Sequence, residues 1–124
     1  MIVQILQLDK ENLNGRIYPR EMMEKAIKEW QDRPVLGQVG MSEYDQGTPD
    51  LSKVSHYITD LRIENDALIG NVKLVENPNG LALAAMISSG EIVFRPSGTG
   101  KILNGIVADY QLTAVNAVLS KDAA

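Results

Sequence analysis

Two adjacent stretches constrain this fold more than any other part of the chain. Residues 53–63 alternate Tyr57, Thr59, Leu61 and Ile63 against Val54, His56, Ile58 and Asp60. Residues 67–75 alternate Leu68, Gly70, Val72 and Leu74 against Ile69, Asn71, Lys73 and Val75. A period of two is the signature of strands, because successive side chains point to opposite faces. Glu64, Asn65 and Asp66 between them suit a tight turn, so the pair predicts an antiparallel hairpin. A hairpin alone is marginal in water and must be covered by further strands or helices.

The remaining segments supply that cover. Residues 1–8 are mostly aliphatic and read as a central strand. Residues 9–19 are a loop, with Asn14-Gly15 as its turn signal. Residues 20–31 read as a helix, with Pro19 at or just before its first turn. Its apolar stripe is Met22, Met23, Ala26, Ile27 and Trp30, and Trp30 and Tyr18 are expected to be substantially buried. Residues 34–40 read as a short strand. Residues 41–51 read as a polar loop, whose Glu43, Asp45 and Asp50 match no calcium-loop spacing and suit a solvated surface. Asn77-Pro78-Asn79-Gly80 marks a break, 81–89 a short helix stopped by Gly90, and 91–94 a short strand. Residues 95–100 read as a glycine-bearing loop, 105–119 as one long strand or two, and 120–124 as a frayed tail. The order predicts one α+β domain over 1–124: a mostly antiparallel, barrel-like sheet with two packed helices.

Composition narrows the function. A net charge of −4, with basic residues scattered singly, argues against nucleic-acid binding. The absence of cysteine removes disulfides, thiolate chemistry and cysteine-ligated zinc. The longest apolar run, 81–87, is too short to span a bilayer, and no secretory signal precedes the first strand. A soluble, cytosolic protein without a cofactor is expected.

Few residues invite catalytic readings. His56 is the single histidine, and on a strand face it reads first as structural. Ser97 lies in Arg95-Pro96-Ser97-Gly98-Thr99-Gly100, where glycines could free backbone N–H groups for an oxyanion hole, although a tight turn explains the segment as well. Gly98-x-Gly100 is not a phosphate-binding fingerprint, since no helix follows it.

Asn12-Leu13-Asn14-Gly15-Arg16-Ile17-Tyr18-Pro19, followed directly by a helix, resembles the N-terminal motif of the prohead core protease family of tailed phages. That family is similar in fold to the herpesvirus assemblins. The likeness runs in order and spacing over roughly 3–118. It implies that Asn12, Asn14, Gly15, Arg16, Tyr18 and Pro19 form a structural clasp between first strand and helix, with Arg16 bonded to carbonyls or a carboxylate.

The resemblance also implies where chemistry would sit. The family's general-base histidine falls on Met41, within Gly37-Gln38-Val39-Gly40-Met41-Ser42. Its serines fall on Arg95 and Pro96, with Ser97 at the following arginine position. Methionine accepts no proton, so the layout implies a scaffold kept without its catalytic pair. The expectation is a non-enzymatic virion protein, a capsid decoration, cement or minor head protein contacting the major capsid protein or copies of itself. The alternatives are an active prohead serine protease using a displaced Ser97 and His56, and a phage inhibitor or binding protein.

Overall fold

The computed structural model describes residues 1–40 and 49–120. Six strands and two helices follow in the order β1 (Ile2–Gln7), α1 (Arg20–Lys28), β2 (Val35–Gln38), β3 (Val54–Glu64), β4 (Ala67–Leu74), α2 (Pro78–Ser88), β5 (Ile92–Leu103) and β6 (Ile106–Leu119). A four-stranded antiparallel sheet runs β1-β4-β3-β2, and β5 and β6 form a long second hairpin. The two sheets meet along β2 and β6, where Gly40 N–H donates to Ala117 O at 2.8 Å. They meet again along β1 and β5, where Arg95 Nη1 donates to Ile5 O at 3.4 Å. The result is the α+β, curled and barrel-like architecture expected, with two helices on it.

The predicted hairpin forms with a two-residue turn. Glu64 pairs with Ala67, and Asn65 adopts a φ of 54°. Asparagine tolerates that left-handed conformation because its short polar side chain satisfies local backbone groups.

Strict alternation, however, does not hold along β3. One extra residue at Asp60, φ 54°, bulges the strand against β4. A bulge resets the side-chain phase. Val54, His56 and Ile58 are therefore buried before it and Leu61 after it, although alternation placed Leu61 on the opposite face.

Three further boundaries move for physical reasons. The Asn77-to-Gly80 break is the start of α2: Asn77 Oδ1 accepts from Gly80 N–H at 2.7 Å, and Pro78 occupies the first turn. Residues 95–100, expected as a loop, lie inside β5, paired with β6 at every position but Gly100, with register shifts after Ser97 and Thr99. Helix α1 closes at Lys28, and Trp30 lies in the tighter turn beyond it.

The core gathers Ile5, Leu8, Met23, Val35, Ile58, Leu68, Leu83 and Val115, all essentially inaccessible. Tyr18 and Trp30 are only partly buried and pack against this core from outside. Trp30 Nε1–H donates to Leu112 O at 3.0 Å, and Arg33 stacks 4.2 Å above its ring. Partial burial lowers the expected cost of Trp30→Ala to about 3 kcal/mol, the lower end of the core range. Urea denaturation monitored by circular dichroism measures it. Trp30→Phe, which keeps most of the ring but loses the hydrogen bond, should cost about 1 kcal/mol.

Candidate functional site

The clasp motif is built around Asn12. Its Oδ1 accepts from the N–H of Asn14 at 2.9 Å and of Arg16 at 3.0 Å, closing the turn that Gly15 completes at φ 73°. The chain then forms a parallel bridge from Ile17 to Ile106, and the Tyr18 ring meets Tyr110 edge-on at 5.6 Å. Pro19 is the extended cap of α1, and Asp9 Oδ1 accepts from Arg20 N–H at 2.9 Å. The motif thus ties β1 and α1 to the β5–β6 hairpin as well as to each other.

Arg16 departs from expectation. It is exposed, and among the described residues its guanidinium makes neither hydrogen bond nor ion pair. Arg20 does that work instead: it donates to Asn65 O and pairs with Glu24 at 3.2 Å and Asp66 at 3.6 Å.

The two segments singled out for chemistry converge where β2, β3, β5 and β6 meet. Gly37 on β2 lies opposite His56 on β3, and one extra residue in β3, Ser55, breaks the register beside them. The bulge turns consecutive residues inward, so Val54, Ser55 and His56 are all buried. Ser55 Oγ lies 2.8 Å from His56 Nδ1, and His56 Nε2 lies 2.7 Å from Val115 O. A carbonyl only accepts, so Nε2 carries the proton and Nδ1 accepts from the Ser55 hydroxyl. The imidazole also meets Phe94 edge-on at 5.1 Å. Burial pushes its pKa down, partly opposed by the bond to Val115 O, which favours the protonated form.

Gly37 is required by this packing. A Cβ there would collide with Val115 O and His56 Nε2 and stand 2.6 Å from His56 Cε1. Next to it, Gln38 N–H donates to Asn116 Oδ1 at 3.1 Å, and Gln38 Oε1 accepts from Asp50 N–H at 3.3 Å. Asp50 also accepts from Ser52 Oγ at 2.7 Å, a local turn contact that holds its pKa below the usual carboxylate value. Met41, Ser42, Glu43 and Asp45 lie outside the described residues.

Ser97 sits on β5 opposite Ala114, buried, with its carbonyl accepting from Thr113 Oγ1 at 3.0 Å. Its neighbours Arg95 and Pro96 pair with Asn116 and Val115. Arg95 donates to the carbonyls of Ile5 and Phe94, and burial lowers its pKa. The glycines after Ser97 serve packing. A Cβ on Gly98 would collide with Gln111 O and stand 2.7 Å from Tyr110 Cζ. Their backbone lies in a strand ladder, which is not the free turn an oxyanion hole would use.

The structure therefore brings His56 and the Arg95–Ser97 stretch to one seam but does not make a catalytic pair of them. Each imidazole nitrogen holds one partner, and both are taken by Ser55 and Val115. Among the described residues, every buried side-chain nitrogen or oxygen has a partner, so the seam is a satisfied polar core. Ser55 and Asn116 were not singled out from sequence. Asn116 carried a signal, a lone amide inside the apolar run that ends β6; Ser55 carried none, because bulges are not visible in alternation.

Comparison with known proteins agrees with this architecture. The family model described as prohead core protein serine protease matches residues 2–120. Among solved structures, the bacteriophage T4 capsid assembly protease gp21 superposes with a TM-score of 0.77 at 27% identity. That match covers 95% of this chain and 79% of the phage T4 chain. No curated protein matches the chain. No described helix is long and apolar enough to cross a membrane.

Proposed function

We propose a function from one premise: the chain belongs to the prohead core protein serine protease family. Within the phage head-assembly setting of that family, it acts as a structural head component, either a decoration or cement protein or a minor head protein. It contacts the major capsid protein or further copies of itself and resides in the virion. The observation that carries this reading is the position of His56. The only histidine of the chain is inaccessible, and both its nitrogens are bound within the fold. A serine hydrolase needs its base facing the nucleophile.

The family relationship and the similarity to a capsid assembly protease favour a second reading, an active prohead protease acting through Ser97. Purified protein incubated with scaffold and capsid precursors separates the two. No specific cleavage is expected, from the wild type or from Ser97→Ala. Specific cleavage that Ser97→Ala abolishes would establish the protease reading. Mass spectrometry of purified particles checks the location, with many copies per particle expected.

A further inference from the structure

The chain contains three Asn-Gly pairs, at 14–15, 79–80 and 104–105. An asparagine followed by glycine can lose its side-chain amide without an enzyme. The next backbone nitrogen attacks the side-chain carbonyl carbon, and glycine, lacking a Cβ, leaves that nitrogen open to approach. The fold treats the three pairs differently.

Two of them are held. Gly80 N–H donates to Asn77 Oδ1 at 2.7 Å in the first turn of α2, and Asn79 Nδ2 donates to Ser52 O at 2.9 Å. Gly15 N–H donates to Asn12 O at 3.0 Å, and Asn14 N–H to Asn12 Oδ1 at 2.9 Å. In both pairs the attacking nitrogen is engaged and its turn is fixed. Asn104 and Gly105 instead form the two-residue turn of the β5–β6 hairpin, at φ 52° and 81°. A turn of this kind bonds the residues on either side of it and leaves its second N–H free. Asn104 is exposed, and among the described residues neither its side-chain amide nor Gly105 N–H has a hydrogen-bond partner.

We infer that Asn104 is a self-modification site, where deamidation through Gly105 installs a carboxylate and loosens the hairpin tip from the clasp. The Gly105 nitrogen gives up its proton and bonds to Asn104 Cγ. The Cγ–Nδ2 bond breaks, and ammonia leaves carrying that proton. Water then opens the resulting five-membered imide at either carbonyl. One opening gives aspartate. The other gives isoaspartate, whose main chain runs through Cβ and Cγ and is one atom longer. Water is the sole co-reactant, and nothing is oxidised or reduced. At this tip Gly105 O accepts from Ile17 N–H at 2.7 Å, and Val107 N–H donates to Ile17 O at 2.9 Å. An extra main-chain atom in a two-residue turn displaces the Gly105 carbonyl and with it the bridge to the clasp.

The test incubates the full chain in mildly alkaline buffer, folded and in guanidinium, and follows intact mass and tryptic peptides. Trypsin, which spares the Arg95-Pro96 bond, puts the pairs in peptides 11–16, 74–101 and 102–121. The folded protein is expected to gain about 1 Da. The gain should come first in peptide 102–121, with fragment ions placing it at Asn104 and an isoaspartate-specific methyltransferase labelling it. In guanidinium the three peptides should gain mass at similar rates. Asn104→Gly, which suits the same turn, should keep the circular dichroism spectrum and abolish the early gain. The purified isoaspartyl form should exchange the amide hydrogens of Ile17 and Val107 faster than the unmodified protein. Earlier modification of 11–16 or 74–101 in the folded chain, an unchanged gain in Asn104→Gly, or unaltered exchange at Ile17 overturns the inference. So does a folded chain that stays unmodified while the guanidinium sample reacts. None of these outcomes bears on particle location or precursor cleavage, so the proposed function is judged separately.

Discussion

Gly37→Ala is expected to destabilise the protein by about 3–5 kcal/mol, more than most substitutions of a single atom group. The added methyl has two neighbours, and neither can withdraw. Val115 O is fixed in the β5–β6 ladder, and the His56 ring is held by Ser55, Val115 and Phe94. Relief requires β2 to separate from β6, which also strains the Gln38–Asn116 and Gly40–Ala117 hydrogen bonds. The urea midpoint at neutral pH measures the loss. Gly90→Ala is the appropriate control, because its positive φ is strained by any side chain but its Cβ would meet nothing. That change should cost only about 1 kcal/mol. Equal midpoint shifts for the two variants would show that the β2–β6 seam is looser than its geometry indicates.

The second large effect belongs to His56. His56→Ala opens a cavity beside Phe94 and leaves the Val115 carbonyl and the Ser55 hydroxyl without the ring that joins them, at an expected cost of about 3–4 kcal/mol. The wild-type protein should also lose stability on acidification. Burial lowers the pKa of His56 in the folded chain, whereas the unfolded chain titrates near the ordinary histidine value of about 6.5. Below that value the unfolded state takes up a proton that the folded state refuses. The stabilisation is therefore complete above about pH 7 and declines as pH falls from about 6.5 toward the folded-state pKa. The slope approaches about 1.4 kcal/mol per pH unit. With one histidine in the chain, the interval between the carboxylates and the terminal amine isolates this group. Urea midpoints compared between pH 7.5 and 5.5 should fall for the wild type and stay level for His56→Ala. A level wild-type profile would mean that the imidazole is hydrated or already paired with an acid.

Both effects arise at a seam that resembles an active site in position but not in wiring. The imidazole is used as a rivet: its proton goes to a carbonyl of β6, and its lone pair accepts from the residue before it on β3. A network with every group satisfied rigidifies the junction of the two sheets. Within that network neither nitrogen of His56 is left for Ser97.

Much of this was legible in the sequence for local reasons. The 53–75 hairpin and α1 follow from periodicities set by backbone geometry alone, and the turn at Asn65 from the conformational tolerance of asparagine. The first strand was legible from its apolar run, but it lies at the edge of the four-stranded sheet and not at its centre, because its apolar residues are covered by packing and not by a second strand neighbour in that sheet. The clasp motif located the entry to α1, and its order with the later segments pointed to the family to which the chain belongs. Tertiary structure decided the rest. Residues 95–100 contain proline, serine and two glycines, a turn composition, yet they form a strand because a long ladder with β6 outweighs weak local preference and the glycines admit Tyr110 and neighbouring carbonyls. Arg16 and Arg20 were indistinguishable as partners until the turn turned one outward and the helix brought the other to Glu24 and Asp66. Whether His56 was base or rivet depended on a single extra residue, Ser55, and on which carbonyl of β6 lay 2.7 Å from its ring. Such facts are set by register between strands distant in sequence, and a period read along one strand contains no information about its partner.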